Sequence, residues 1–116
     1  MRILVIEDDK ELLYAVETIL KVEGYKVDTA LSVHSAKSML TENKYDLVIT
    51  DIMLPYFGGF DLVDEAKKNG DKVPVIVITG MDEEILSNTI TFAEKCITKP
   101  FGKQELLDAV NSLLNK

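Results

Sequence analysis

Arg2 to Ile6 (RILVI) is a nearly continuous apolar run that ends in three acids, Glu7-Asp8-Asp9. Continuous rather than alternating apolarity predicts a strand covered on both faces, as in a parallel sheet. From Lys10 to Glu23 the period changes. Leu13, Val16, Ile19 and Leu20 recur at helical spacing, with Asp9 placed to cap the start and Gly24 to stop the end. Lys26 to Ala30 (KVDTA) alternates more, as an edge strand would. Ser32 to Glu42 predicts a second helix with Ala36, Met39 and Leu40 on one side and Ser32 or Ser35 as its cap. In Tyr45 to Gly59 (YDLVITDIMLPYFGG), the apolar Leu47-Val48-Ile49 leads straight into Asp51 before Pro55 and Gly58-Gly59 break regular structure. That pattern suits a buried strand with Asp51 at its C-terminal tip, although Asp, Pro and Gly are also ordinary turn residues. A third helix follows from about 59 to 69 through Phe60, Val63 and Ala66, closed by Gly70. Val73 to Thr79 (VPVIVIT) predicts another buried strand, and 82–92 a weaker helix through Ile85, Leu86 and Ile90. Cys96 to Thr98 is a short strand before Lys99-Pro100, and 103–114 an amphipathic helix through Leu106, Leu107, Val110, Leu113 and Leu114.

Strand then helix, repeated five times, needs parallel strands joined by right-handed helical crossovers. The predicted fold is an open, doubly wound α/β sheet in one domain spanning residues 1–116. Closure into a barrel would need about eight such units.

Composition narrows the class. With 47% apolar and 28% charged residues, the chain is an ordinary globular sequence, large enough to build one core without staples. The single cysteine, Cys96, excludes an internal disulfide and fits a reducing compartment. Glu7, Asp8 and Asp9 interrupt the first apolar run, so it does not read as a signal peptide, and no stretch approaches the roughly 20 apolar residues of a membrane helix. The expected setting is cytoplasmic, away from membranes. A net charge of −7 opposes direct nucleic-acid binding, which draws on clustered Lys and Arg.

The polar residues carry the chemistry. In a parallel sheet all strands point their C-terminal ends at one edge, where ligands bind. Glu7-Asp8, Asp51, Thr79-Gly80 and Lys99-Pro100 occupy those ends and should meet there. Gathered carboxylates repel unless a cation intervenes. Mg²⁺ takes oxygen ligands and keeps places for water and phosphoryl oxygens. Lys99 adds a point charge suited to phosphate and Thr79 a hydroxyl donor. One carboxylate can then act as nucleophile on phosphorus. No GxxxxGK[ST] occurs, and acids stand where a dinucleotide-binding GxGxxG would follow the first strand. Phosphatases with an aspartyl nucleophile commonly carry a second Asp two residues on, where this chain has Met53.

With VIEDD at the first strand end, Asp51-Ile-Met-Leu-Pro55, Gly59, ITG at Thr79 and KPF at 99–101, the whole chain resembles the receiver domain of two-component response regulators. The resemblance implies a flavodoxin-like, five-stranded parallel sheet of order 2-1-3-4-5 flanked by five helices. It implies that Asp51 accepts a phosphoryl group from the phosphohistidine of a sensor histidine kinase. Mg²⁺ (or Mn²⁺) would be ligated by Asp8, Asp51 and the main-chain oxygen of Met53, with Glu7 acting mostly through a bound water. Lys99 would contact the phosphoryl group across a cis bond to Pro100, and Thr79 would turn toward it and report the state. Such a protein catalyses only its own phosphoryl transfer and slow hydrolysis, and signals to a downstream protein target or phosphotransfer protein.

The chain also departs from the family. Cys96 stands where an aromatic residue usually accompanies the threonine, and Phe92 where glycine is common. The span from Thr79 to Lys99 is about two residues short of the usual, which implies a short or shifted fourth helix. In the last helix, Asp108, Ala109 and Asn111 replace basic residues common in the winged-helix transcription class. The expectation is therefore a stand-alone regulator or phosphorelay shuttle. The rivals are the receiver half of a DNA-binding regulator and a small hydrolase using Asp51. His34, the only histidine, is expected on the surface of the second helix, and Cys96 as a small hydrophobe in a buried strand.

Overall fold

The computed structural model describes residues 1–51, 73–80 and 93–114. Five parallel strands form one sheet: β1 (Arg2–Ile6), β2 (Lys26–Ala30), β3 (Leu47–Asp51), β4 (Val75–Thr79) and β5 (Lys95–Thr98), in the spatial order β2-β1-β3-β4-β5. Three helices lie among the described residues, α1 (Lys10–Val22), α2 (Val33–Glu42) and α3 (Lys103–Leu114). The helices expected over 59–69 and 82–92 lie outside the described residues, as do Met53, Pro55 and Phe92. The flavodoxin-like order is the one the resemblance implies.

Strand periodicity sorts the core into two faces. On one, Ile3, Val5, Ile49, Ile76, Ile78 and Ile97 pack with Leu13, Val16 and Leu20 of α1 and Leu106 and Val110 of α3. On the other, Leu4, Ile6, Val48, Val75 and Val77 meet Ala36 of α2, with Met39, Leu40 and Cys96 partly buried against them. β1, β3 and β4 are covered on both faces, which is why their sequences run continuously apolar. β2 lies at an edge and alternates.

The predicted punctuation holds within a residue or two. Asp9 is the N-cap of α1 and Ser32 that of α2, where its Oγ accepts from the Ser35 amide. α1 ends at Val22, with Glu23 as C-cap and Gly24 at φ 101°, a left-handed conformation that glycine adopts without penalty. β4 starts at Val75 rather than Val73, because Pro74 has no N–H to give a ladder. β5 begins at Lys95, one residue early, and Cys96 is half-buried rather than fully buried, because β5 is an edge strand. His34 is exposed, as expected.

Side-chain links tie the elements together. Arg2 pairs with Asp28 at 2.7 Å and lies 5.2 Å from the Tyr45 ring centroid. The Tyr45 hydroxyl donates to the same carboxylate at 2.8 Å. Burial and that carboxylate push the Tyr45 hydroxyl up to about 12. Beyond the end of α1, the Tyr25 hydroxyl donates to Asn111 Oδ1 of α3, and Asn111 Nδ2 donates to Glu23.

Candidate functional site

Register determines what meets at the C-terminal edge. Ile6 lies opposite Thr50, Asp51 opposite Ile78, and Thr79 opposite Thr98. Glu7, Asp51 and Lys99 therefore finish β1, β3 and β5 at one rim. Lys99 is steered there by its backbone, whose amide donates to the Thr79 carbonyl at 2.8 Å, and its peptide bond to Pro100 is cis.

From that position Lys99 Nζ reaches Asp51 Oδ2 at 2.9 Å and Glu7 Oε2 at 3.3 Å. Glu7 is 3% exposed and Asp51 6%, whereas Asp8 is exposed to solvent. One carboxylate oxygen from each of Glu7, Asp8 and Asp51 lies within 4.8 Å of the other two. Acids from the end of β1 and the tip of β3, more than 40 positions apart in sequence, thus share one small volume. Thr79 ends β4 with its side chain fully buried, and its carbonyl holds the lysine's amide. Cys96 lies on β5 opposite Val77, and Met53 is outside the described residues.

The electrostatics follow from burial and crowding. Desolvation pushes the Glu7 carboxyl up to about 7, and the Asp9 amide pulls it part of the way back. The charge of Asp51 and a hydrogen bond with Asp8 add to the rise, and Lys99 opposes it. Burial pulls the Lys99 ammonium down, but its hydrogen bond to Asp51 and the charges of Asp51 and Glu7 outweigh this and hold it above its ordinary value.

Three carboxylates facing one ammonium leave an excess of negative charge in a partly desolvated pocket. An oxygen-only donor set of this spacing fits a hard divalent cation such as Mg²⁺. A cation there would offset the repulsion and leave Asp51 beside an ammonium that could neutralise a transferred phosphoryl group.

Sequence reasoning named every member of this cluster and expected Glu7 to act mostly through a bound water. In the structure, Glu7 also pairs directly with Lys99. A lysine's reach across two intervening strands leaves no mark on local spacing.

Comparison with known proteins points the same way. The family profile described as response regulator receiver domain matches residues 3–111. The response regulator SaeR of Staphylococcus aureus is 33% identical over 117 residues, covering 98% of this chain and 50% of SaeR. The chain thus spans about half the length of the curated relatives it matches. A response regulator receiver domain protein from Clostridium thermocellum is 34% identical with a TM-score of 0.86, covering 98% of this chain and 94% of that one. The response regulator TrrA of Thermotoga maritima, solved in complex with Mg²⁺ and BeF, is 31% identical with a TM-score of 0.84, covering 97% of each chain.

Proposed function

Because the chain belongs to the response regulator receiver domain family of two-component systems, we propose that Asp51 is its phosphoacceptor and that a sensor histidine kinase is its donor. The observation that carries this reading is the convergence of Glu7, Asp8 and Asp51 within 4.8 Å of one another, with Lys99 on Asp51 at 2.9 Å.

In the proposed step an Asp51 carboxylate oxygen attacks phosphorus, the N–P bond of the donor phosphohistidine breaks, and the imidazole leaves with the bonding pair. Lys99 holds the attacking carboxylate and then faces the incoming phosphoryl oxygens, as an ammonium suits. Asp8 and Asp51, with the main-chain oxygen of Met53, would hold Mg²⁺ (or Mn²⁺), and Glu7 would act mostly through a bound water. The cation, when bound, neutralises charge on the transferred group. Thr79 would turn toward the phosphoryl group and report the state; its burial at the end of β4 and its carbonyl's bond to the Lys99 amide support this role. The output is a changed contact with a downstream protein target or phosphotransfer protein, not turnover of an outside substrate.

A small-molecule acyl phosphate plus Mg²⁺ tests the reading. Intact mass should rise by one phosphoryl group in the wild type and not in Asp51→Asn or without divalent cation. A wild type that gains nothing, or an Asp51→Asn protein that gains as much, removes Asp51 from this role.

A second reading is supported by the half-length match to the curated relatives: the chain as the phosphate-accepting half of a DNA-binding regulator. The reading frame beyond Lys116 tests it. A DNA-binding segment encoded there would support it, and a stop codon would remove it.

A further inference from the structure

We infer that Asp9 is a positioning residue for the cation site: by capping α1, its side chain fixes the backbone amide that orients Glu7. The inference rests on the Mg²⁺-assisted reading of the acidic cluster and concerns how one of its carboxylates is held.

Asp9 has an extended backbone, φ −81° and ψ 108°. Its Oδ1 accepts from the amides of Glu11 at 3.0 Å and Leu12 at 3.3 Å, and its carbonyl accepts from Leu13 at 2.9 Å. These three bonds anchor the Cα of Asp9 to the first turn of α1, and with it one end of the peptide between Asp8 and Asp9. The amide of that peptide donates to Glu7 Oε1 at 3.1 Å. The other Glu7 oxygen, Oε2, faces Lys99 at 3.3 Å. A buried glutamate is thus gripped from two sides, by the start of α1 and by the end of β5. The Lys99 grip is shared with Asp51, where the proposed phosphoryl group arrives, so the Asp9 amide is the partner that does not compete with the chemistry.

The Asp9 carboxylate itself is spent on the helix. Asp9 is absent from the cluster of potential ligands among the described residues, although it follows Asp8 directly. A third acid beside two ligands would ordinarily be read as added negative charge for the cation. The hydrogen bonds assign it to the cap instead. Cap and charge make different demands on the residue. Asn and Ser cap nearly as well as Asp, whereas Ala does not.

Mg²⁺ affinity, followed by amide NMR titration on the unphosphorylated protein, separates the two. Asp9→Ala should weaken binding about tenfold, the low end of what an outer partner of a metal ligand contributes. Asp9→Asn and Asp9→Ser should stay within about twofold of wild type, because both keep the cap. Ser32→Ala, which removes the equivalent cap of α2, should leave Mg²⁺ affinity unchanged. Wild-type affinity in Asp9→Ala, or loss in Asp9→Asn and Asp9→Ser, overturns the inference. If the alanine variant does not fold, loss of affinity in either cap-retaining variant still overturns the inference. A wild type without Mg²⁺ binding would instead overturn the reading of the cluster, and this inference with it.

Discussion

Glu7 is buried beside a lysine that it shares with Asp51, and that combination sets how the cation-free protein answers pH. Its carboxyl in the folded chain lies at about 7, raised from an ordinary 4.5 chiefly by desolvation. Folding therefore favours the protonated form. Below about pH 4.5 folded and unfolded chains both hold the proton, and this contribution to stability is fully present. It falls as pH rises and is lost through about pH 7. Between about pH 5 and about pH 8 the cation-free wild type should lose on the order of 2 kcal/mol relative to Glu7→Gln, which cannot ionise. Urea melts at the two pH values check this, and parallel pH slopes for the two proteins would count against it. The identity of the acids could be read from the sequence, because Glu7, Asp8 and Asp51 each follow an apolar run and parallel strands aim those ends together. The degree of Glu7's burial could not. It is set by the folded surroundings, where its partner Lys99 comes from 92 residues away.

The same division holds for the elements. α1, α2 and α3, and the interiors of β1, β3 and β4, follow from local periodicity and caps, because each is decided by residues within a turn or a few strand positions. What fastens α3 to the rest does not. Tyr25, one residue past the glycine that ends α1, donates its hydroxyl to Asn111, 86 positions on, and Asn111 in turn donates to Glu23. Asn111 reads in sequence as a polar interruption of an apolar stripe. In the structure it joins the C-terminal half of α3 to the turn before β2, at the end of α1 opposite to Asp9. Tyr25 is 5% exposed, so Tyr25→Phe costs a hydrogen bond without opening a cavity. The expected loss is about 1 kcal/mol. Asn111→Ala should cost somewhat more, since it removes both bonds and leaves the Tyr25 hydroxyl without this acceptor. The double variant should fall short of the sum, because the two residues act through one bond. Chemical denaturation of the four proteins completes the cycle, and strict additivity would show that the hydroxyl contributes nothing through Asn111.

For the whole molecule, net charge and local charge make separable claims. At −7 the protein repels itself, and any salt relieves part of that. The site asks for more than screening. Carboxylates from the two residues after β1 and from the last residue of β3 converge on one volume, so a cation seated there links the ends of two strands and binds the folded chain only. Ligand linkage then gives about 2.7 kcal/mol of stabilisation at a hundredfold excess over Kd. Millimolar Mg²⁺ should therefore raise the melting temperature well beyond NaCl at matched ionic strength. Asp8→Asn should abolish that excess while keeping the response to NaCl, since Asp8 is exposed and its replacement disturbs no core contact. If NaCl stabilises as well as Mg²⁺, or Asp8→Asn responds to Mg²⁺ like the wild type, the acids are a diffuse negative surface. In that case the geometry at the rim has no cation to serve.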